Sequence, residues 1–404
     1  MSLRLGIVLV AAVCFGVCGV PPARAGEFTD SAGRIVVIPD HPNRIMAASP
    51  SAEVLVYVLA PQKLVGWARK PSHVAMPARY ARLPETGELT GPRPTANAAT
   101  VSRLHPDLII DSGTVTPARA AFADQISQAT GVPYIIIDNG FDRVPTMFRI
   151  VGRVLGVADR GDDLASSAEH AIDTIRGRLL IQPATQRPRV YYARGPNGLQ
   201  TAEPGSGAAA SIEAAGAINV AAALGTGERV TVTPQQVRDW NPDVIIVEKR
   251  SFYNAIMRDP AWRGLRAVRS KKVVLEPEQP FGWIDDPAGV NRLVGMYWLS
   301  GLLYPGDTLD DLRALMVDFY NKFYGIKVSD AQVEAVAKTA GIPPSDTPHL
   351  SGLPPIGSPL PNTAPIPVPG TNPGAPGAVN EPGRRGFLPG PTPPSTTPSY
   401  MLPK

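Results

Sequence analysis

A proline–aspartate pair that ends a helix and opens a hydrophobic strand occurs twice in this chain, and that recurrence restricts the fold more than any other feature. Pro106-Asp107 leads from a short helical stretch, residues 98–104, into Leu108-Ile-Ile-Asp111. Pro242-Asp243 leads from a helix beginning at Pro234 into Val244-Ile-Ile-Val-Glu248. Proline cannot continue a helix, and the residue before it avoids helical backbone angles. One such pair is trivial. Two, each after a helix and before a buried strand, imply duplicated α/β lobes.

The flanking residues repeat in the same order. The first copy runs from Arg44-Ile-Met-Ala-Ala-Ser49 through a helix over 52–59 to the strand Lys63-Leu-Val-Gly-Trp67. After its Pro-Asp strand, a helix over 117–130 returns to Val132-Pro-Tyr-Ile-Ile-Ile137. The second copy runs from Arg189-Val-Tyr-Tyr-Ala-Arg194 through a helix over 208–216 to Ile218-Asn-Val-Ala221. Its Pro-Asp strand is followed by residues 253–268 and Lys272-Val-Val-Leu275. Short β-branched strands alternating with helices predict parallel sheets covered on both faces. Between the copies, Leu164, Ala168, Ala171, Ile172, Ile175 and Leu179 fall three or four apart, one face of an amphipathic helix. About 22 residues at 1.5 Å each make a rod about 33 Å long. The fold class expected is therefore α/β, two Rossmann-like lobes with parallel sheets bridged by a single long α-helix, followed by a disordered Pro-rich C-terminal tail.

The two ends of the chain are of other kinds. Arg4, an apolar run over 5–20 and Ala23-Arg24-Ala25 read as a secretory signal cut after Ala25. Cys14 and Cys18 both lie within it, and Val13 and Val17 stand where lipidation needs a small residue. The mature chain then has no thiolate site and no disulfide. The segment from Gly341 holds more than a third of the 45 prolines, and reads as solvated coil or polyproline II, either a spacer or a tether. The boundaries expected are 1–25 signal, 26–157 N-terminal lobe, 158–182 connecting helix, 183–328 C-terminal lobe, and 329–404 short helix and tail. The net charge of +4 becomes +2 once Arg4 and Arg24 leave, and no basic stripe interleaved with aromatics points to nucleic acid.

Signal, lobe, long helix and second lobe resemble the periplasmic binding proteins for iron-siderophores, haem and cobalamin that serve ABC importers. The resemblance covers about residues 28–326 and rests on local signatures in order. These are Asn43-Arg44-Ile45 leading to Pro50-Ser51-Ala52-Glu53, the two Pro-Asp strands, and residues 287–303 with Asn291-Arg292-Leu293. It implies a periplasmic protein, a monomer without enzyme activity or cofactor, partnered by an ABC permease and its ATPase. The ligand it implies is a metal chelate, first a ferric siderophore (an Fe(III) chelate), with cobalamin or haem as alternatives. A sensor or interaction module without its own permease is the reading of another class. The family's docking glutamates fall at Ala99 and Gln235, neither of which carries charge, so docking either uses nearby acids such as Glu85, Glu88 or Glu228 or is weaker and differently built.

Ligands of parallel α/β sheets sit at the carboxyl ends of the strands. In the first lobe those loops offer Ser49, Ser51, Trp67, Arg69, Lys70, Ser112 and Thr114. In the second they offer Tyr191, Tyr192, Arg194, Lys249, Arg250, Tyr253, Phe281 and Trp283. The ligand-binding set expected is Ser49, Trp67, Arg69, Tyr191, Tyr192, Arg194, Arg250, Phe281 and Trp283, with Arg194 the main anchor. Aromatic rings would supply flat contact and cations would bind chelating oxygens. Tyr191 and Tyr192 alternate across a strand, so at most one faces the cleft. The histidines, His41, His73, His105, His170 and His349, show no ligand spacing, which argues against a naked metal cargo and a metal site, although His73 lies near the cleft mouth. Gly205-Ser-Gly207 follows no strand, and no nucleophile elbow or phosphate loop occurs, so enzyme readings fail.

Overall fold

The computed structural model describes residues 25–342 apart from 72–75, 92–93, 181, 203, 225–229 and 305–307. The expected signal segment up to Arg24, the tail from 343, His73 and Glu228 thus lie outside the described residues. An antiparallel hairpin, β1 (Ala25–Thr29) with β2 (Ile35–Pro39), precedes the first lobe. Asp30 closes its turn by accepting the N–H groups of Ala32 and Arg34, and it accepts the Ile136 N–H at 3.1 Å, which ties the hairpin to the sheet edge.

In the first lobe β3 (Ile45–Ala47), β4 (Leu108–Gly113) and β5 (Tyr134–Asp138) pair in parallel, and Leu64 bridges to Ile45 on the far edge. The helices are α1 (Pro50–Leu59), α2 (Ala78–Ala81), α3 (Ala98–Leu104), α4 (Pro117–Thr130) and α5 (Val144–Val154). The bridging helix α6 (Ala158–Leu179) leads to the second lobe. There β6 (Arg189–Ala193), β7 (Gln200–Thr201), β8 (Ile218–Asn219), β9 (Val230–Thr231), β10 (Val244–Val247) and β11 (Val273–Leu275) alternate with α7 (Gly207–Ala214), α8 (Pro234–Trp240), α9 (Arg250–Ile256) and α10 (Arg266–Arg269). The parallel order β8-β6-β10-β11 repeats the order of the first sheet, so the doubled Pro-Asp pair marks a doubled topology. Finally α11 (Arg292–Leu303) packs on α6 and α7, α12 (Thr308–Tyr324) packs on α1, and α13 (Asp330–Thr339) packs on α12.

Both Pro-Asp pairs act through one device. His105 and Asn241 end α3 and α8 in the left-handed region, at φ 46° and 41°. Asp107 Oδ2 then accepts the N–H groups of Asn43 and Arg44 at 2.8 and 2.9 Å, and Asp243 Oδ2 accepts that of Arg189 at 2.9 Å. Arg44 and Arg189 return the favour to the helix ends by donating to the carbonyls of Leu104 and Trp240. Guanidinium groups belong at helix C-termini, where the backbone dipole is negative.

The lobes are not held by α6 alone. One apolar core runs from Ile45 and Val54 in the first lobe through Phe148, Phe319 and Phe323 to Tyr192, Ile246, Trp283 and Trp298. α6 lies against α5 and α11 rather than standing free between the lobes, and it meets α5 at two glycines. A Cβ on Gly161 would sit 2.6 Å from the Phe148 carbonyl oxygen and 3.1 Å from Gly152 Cα, whereas Gly177 in the same helix faces open space. Gly161→Ala should therefore force the helices apart at a cost of about 1–3 kcal/mol. Gly177→Ala should stabilise by up to about 1 kcal/mol through helix propensity. Thermal unfolding of the two variants checks this: melting points moving in the same direction would refute the close crossing.

Candidate functional site

In each lobe a serine caps the helix that follows the first strand, directly after β3 in the first lobe and beyond β7 in the second. Ser49, after β3, accepts the Ala52 N–H at 3.3 Å and donates to the Ser112 carbonyl oxygen at 3.3 Å. Ser206, the N-cap of α7, accepts the Ala209 N–H at 3.2 Å. The two helix N-termini thus converge from opposite lobes on one cavity of about 110 Å³. Hydroxyl groups of Ser49, Ser51, Ser112, Thr114 and Ser206 line it, with Arg69, Arg119 and Arg194 between them.

Each of these cations faces a carboxylate. Arg119 Nε lies 3.3 Å from Asp111 Oδ2, and Arg194 Nη2 lies 2.9 Å from Asp285 Oδ2. Arg69, from the first lobe, reaches across to Asp286 in the second at 2.5 Å and has Glu88 at 3.8 Å. Lys249 pairs with Glu248 at 2.9 Å and stands 3.7 Å from Asp286. Burial opposes charge on Arg194, which is 2% exposed, but Asp285, Tyr192 and Glu248 hold it charged above its ordinary value. Among the described residues its Nε has no hydrogen-bond partner, with Glu248 Oε2 3.9 Å away. Burial would likewise raise the Asp286 carboxyl, yet Arg69 and Lys249 keep it below the usual range. The Arg69–Asp286 pair is 36% and 27% exposed, so solvent screening leaves it worth about 0–1 kcal/mol.

A second tie crosses the cleft behind the cavity. Arg292, at the start of α11, donates to the Asn139 carbonyl oxygen at the end of β5, and burial pulls its guanidinium down to about 10. Glu276, after β11, places the acidic loop. Its Oε1 accepts the N–H groups of Ile284 and Asp285 at 2.7 and 3.2 Å, and its Oε2 accepts the Tyr192 hydroxyl at 2.5 Å. Beyond the Arg69–Asp286 pair lies an outer cavity of about 260 Å³, bordered by Glu53, Lys70, Lys249 and Phe281.

Of the residues expected at the site, Ser49, Arg69 and Arg194 line the inner cavity. The aromatic expectation is corrected. Trp67 is fully buried, with its indole N–H on the Tyr80 carbonyl oxygen, and Trp283 is fully buried, with its own on Gln279. Both rings fill the shared core, and neither has surface left for a ligand. Tyr191 and Tyr192 do alternate across β6, but helices cover both faces of the sheet, so both are core, with the Tyr191 hydroxyl on the Gly198 carbonyl oxygen. Phe281 is 7% exposed at the rim of the outer cavity, and Arg250 borders a separate groove beside α13. Ala99 and Gln235 both occupy the second position of their helices and are exposed, and Gln235 is engaged with Arg238 and Asp239. Glu88 is 4% exposed and cannot reach a partner protein, whereas Glu85 is exposed. Sequence reading missed Arg119, Ser206, Asp285, Asp286 and Glu276. The run Gly282-Trp-Ile-Asp-Asp286 after the last strand carries the signal, two adjacent aspartates in a strand-end loop. Among the described residues no cluster of His, Cys, Asp or Glu is arranged to hold a metal ion, and no helix is long and apolar enough to cross a membrane.

The sequence pattern that defines the periplasmic binding protein family matches residues 46–280. The chain belongs to that family. Its members are periplasmic solute-binding proteins that work with ABC permeases. Among solved structures, an ABC transporter solute binding protein from Sulfurospirillum deleyianum is 27% identical with a TM-score of 0.70, covering 77% of this chain and 99% of that one. A molybdate periplasmic binding protein from Haemophilus influenzae, bound to molybdate, is 26% identical with a TM-score of 0.64, covering 75% and 99%. A cobalamin-binding protein from Halobacterium salinarum is 27% identical over 230 residues, 54% of this chain. The match spans 57% of that relative, little more than half its length.

Burial raises the carboxyl groups of Glu276 and Glu53 from 4.5 to about 8. The folded chain thus keeps protons that the unfolded chain releases, and stability falls as pH rises from about 4.5 to about 8. Glu276→Gln, which stays neutral throughout, should melt close to the parent at pH 5 and above it at pH 8, by on the order of a few degrees. Melting curves whose difference is constant across that range would contradict the buried proton.

Proposed function

We propose that this protein captures a compact oxyanion, of the kind molybdate represents, between its lobes and hands it to an ABC permease in the periplasm. The observation that carries this reading is the inner cavity: about 110 Å³, hydroxyl-lined, and bordered by two helix N-termini. Sites for drug-sized ligands run from about 300 to 1,000 Å³ and are mostly apolar. The described residues offer no exposed ring on which a porphyrin or corrin would stack, since the expected platforms lie in the core. Helix N-termini and hydroxyls bind anions through neutral donors, which suits a site in which Arg119 and Arg194 are closely paired with carboxylates. The molybdate-bound relative favours the same chemistry.

A second reading keeps the larger cargo, a ferric siderophore first, with cobalamin or haem beside it. The outer cavity of about 260 Å³, which shares Arg69, Asp286 and Pro287 with the inner one, supports it, as does the cobalamin-binding relative. In either case the permease would meet the first turns of α3 and α8, where Ala99 and Gln235 stand.

Calorimetric titration with molybdate, a ferric siderophore, cyanocobalamin and haem separates the readings. Molybdate alone should bind. Ser51→Asp adds a carboxylate at the cavity wall but favours the helix, because acids suit the first turn. It should weaken molybdate binding by ~100-fold or more, from charge repulsion at contact distance, without lowering the melting point. Binding of a chelate or of cobalamin with no heat from molybdate would overturn the compact-anion reading.

A further inference from the structure

The wall between the two cavities is a single ion pair made by opposite lobes. Arg69, Asp286 and Pro287 border the inner cavity on one side and the outer cavity on the other. The neighbouring arginine contacts are more deeply buried than this pair, and the arginine–carboxylate ones stay within one lobe. Asp111 of the Arg119 pair is wholly buried, and Arg194 is 2% exposed. The Arg292–Asn139 tie is buried as well. Arg69 and Asp286 are 36% and 27% exposed. A charge pair in contact with water is the one that a competing anion can separate.

The backbone around the pair is arranged to present it. The Arg69 N–H is held by Glu53 Oε2 at 3.0 Å, and the preceding loop is pinned by the Trp67 N–H on the Pro84 carbonyl oxygen at 2.8 Å. On the other lobe, Glu276 fixes Ile284 and Asp285, and Asp286 follows in the left-handed region at φ 56°. Aspartate and asparagine tolerate that conformation better than most residues. Lys249 stands 3.7 Å from the same carboxylate, ready to hold it when Arg69 is taken.

From this geometry we infer that Arg69–Asp286 is a displaceable clasp and the specificity-determining pair of the site. Without solute, the Asp286 carboxylate occupies Arg69 and separates the two cavities. A solute anion takes its place at Arg69, Asp286 turns to Lys249, and the inner cavity opens onto the outer one. The anion half of this inference rests on the compact-anion reading above, and the clasp itself does not.

The test uses the purified full chain and three variants. Asp286→Asn keeps the backbone preference and removes the charge. Arg69→Gln removes the cation. Glu278→Gln removes an acid that borders the outer cavity without pairing to Arg69. Amide hydrogen exchange without solute should be at least about tenfold faster over 68–71 and 284–290 in Asp286→Asn and Arg69→Gln, and unchanged in Glu278→Gln, since released loops open more often. Molybdate affinity should rise about tenfold in Asp286→Asn, equivalent to ~1.4 kcal/mol, and fall in Arg69→Gln. Unchanged exchange in Asp286→Asn refutes the clasp, and so does an equal affinity gain in Glu278→Gln, which would reduce the effect to net charge. Faster exchange with no molybdate binding in any form supports the clasp and refutes the anion reading alone.

Discussion

Tyr324 stands where the two lobes touch, and the geometry of the cleft follows from what surrounds it. Its ring lies 6.0 Å from Tyr57 of the first lobe, 5.9 Å from Phe281 of the second and 5.8 Å from Phe319 on its own helix, while its hydroxyl donates to Asn291. Trp67 extends the chain of rings through Tyr57 at 5.4 Å. Each aromatic side chain buries about 150–250 Å², so exposing one costs on the order of a few kcal/mol. A hinge rotation that parted the lobes would expose several at once. The distance between the lobes is therefore set by packing across their junction, and adaptation to a solute is left to the loops above it.

Those loops hold their charges in matched pairs. Bringing Arg194, Asp285 and Glu248 out of water costs several kcal/mol per ion, which their mutual attraction recovers only when the geometry is good. The loop after β11 supplies that geometry, because Glu276 fixes its backbone before the aspartates are presented. Glu276 itself is neutral below about pH 8, so it holds the loop without adding a further buried charge beside Asp285.

The repeated lobe was legible in the sequence because its signal is backbone chemistry. A proline after a left-handed residue and an aspartate that receives the N–H groups of the neighbouring strand act locally, and local acts leave local traces. The periodicity of α6 was legible for the same reason. The hairpin β1–β2, the helix α5 and the return of α12 onto α1 went unread, since only tertiary contacts give them their place. The site was half legible. Strand ends located Ser49, Arg69 and Arg194, but no pattern in the sequence says whether a tryptophan beside a loop turns toward the cleft or into the core. Trp67 and Trp283 turned inward because the junction between lobes needed large rings more than the cleft did.

The pairing of Arg69, Arg119, Arg194 and Lys249 with carboxylates also bears on how a solute arrives. Opposite charges a few ångströms apart cancel at the range of a Debye length, about 8 Å in physiological salt. A cleft built this way projects little far field, and it cannot draw ions in from a distance as a uniformly basic groove does. Abundant anions gain nothing by drifting near it. Discrimination begins only at contact, when a solute sheds its water and the cavity either replaces every bond it has lost or lets it go.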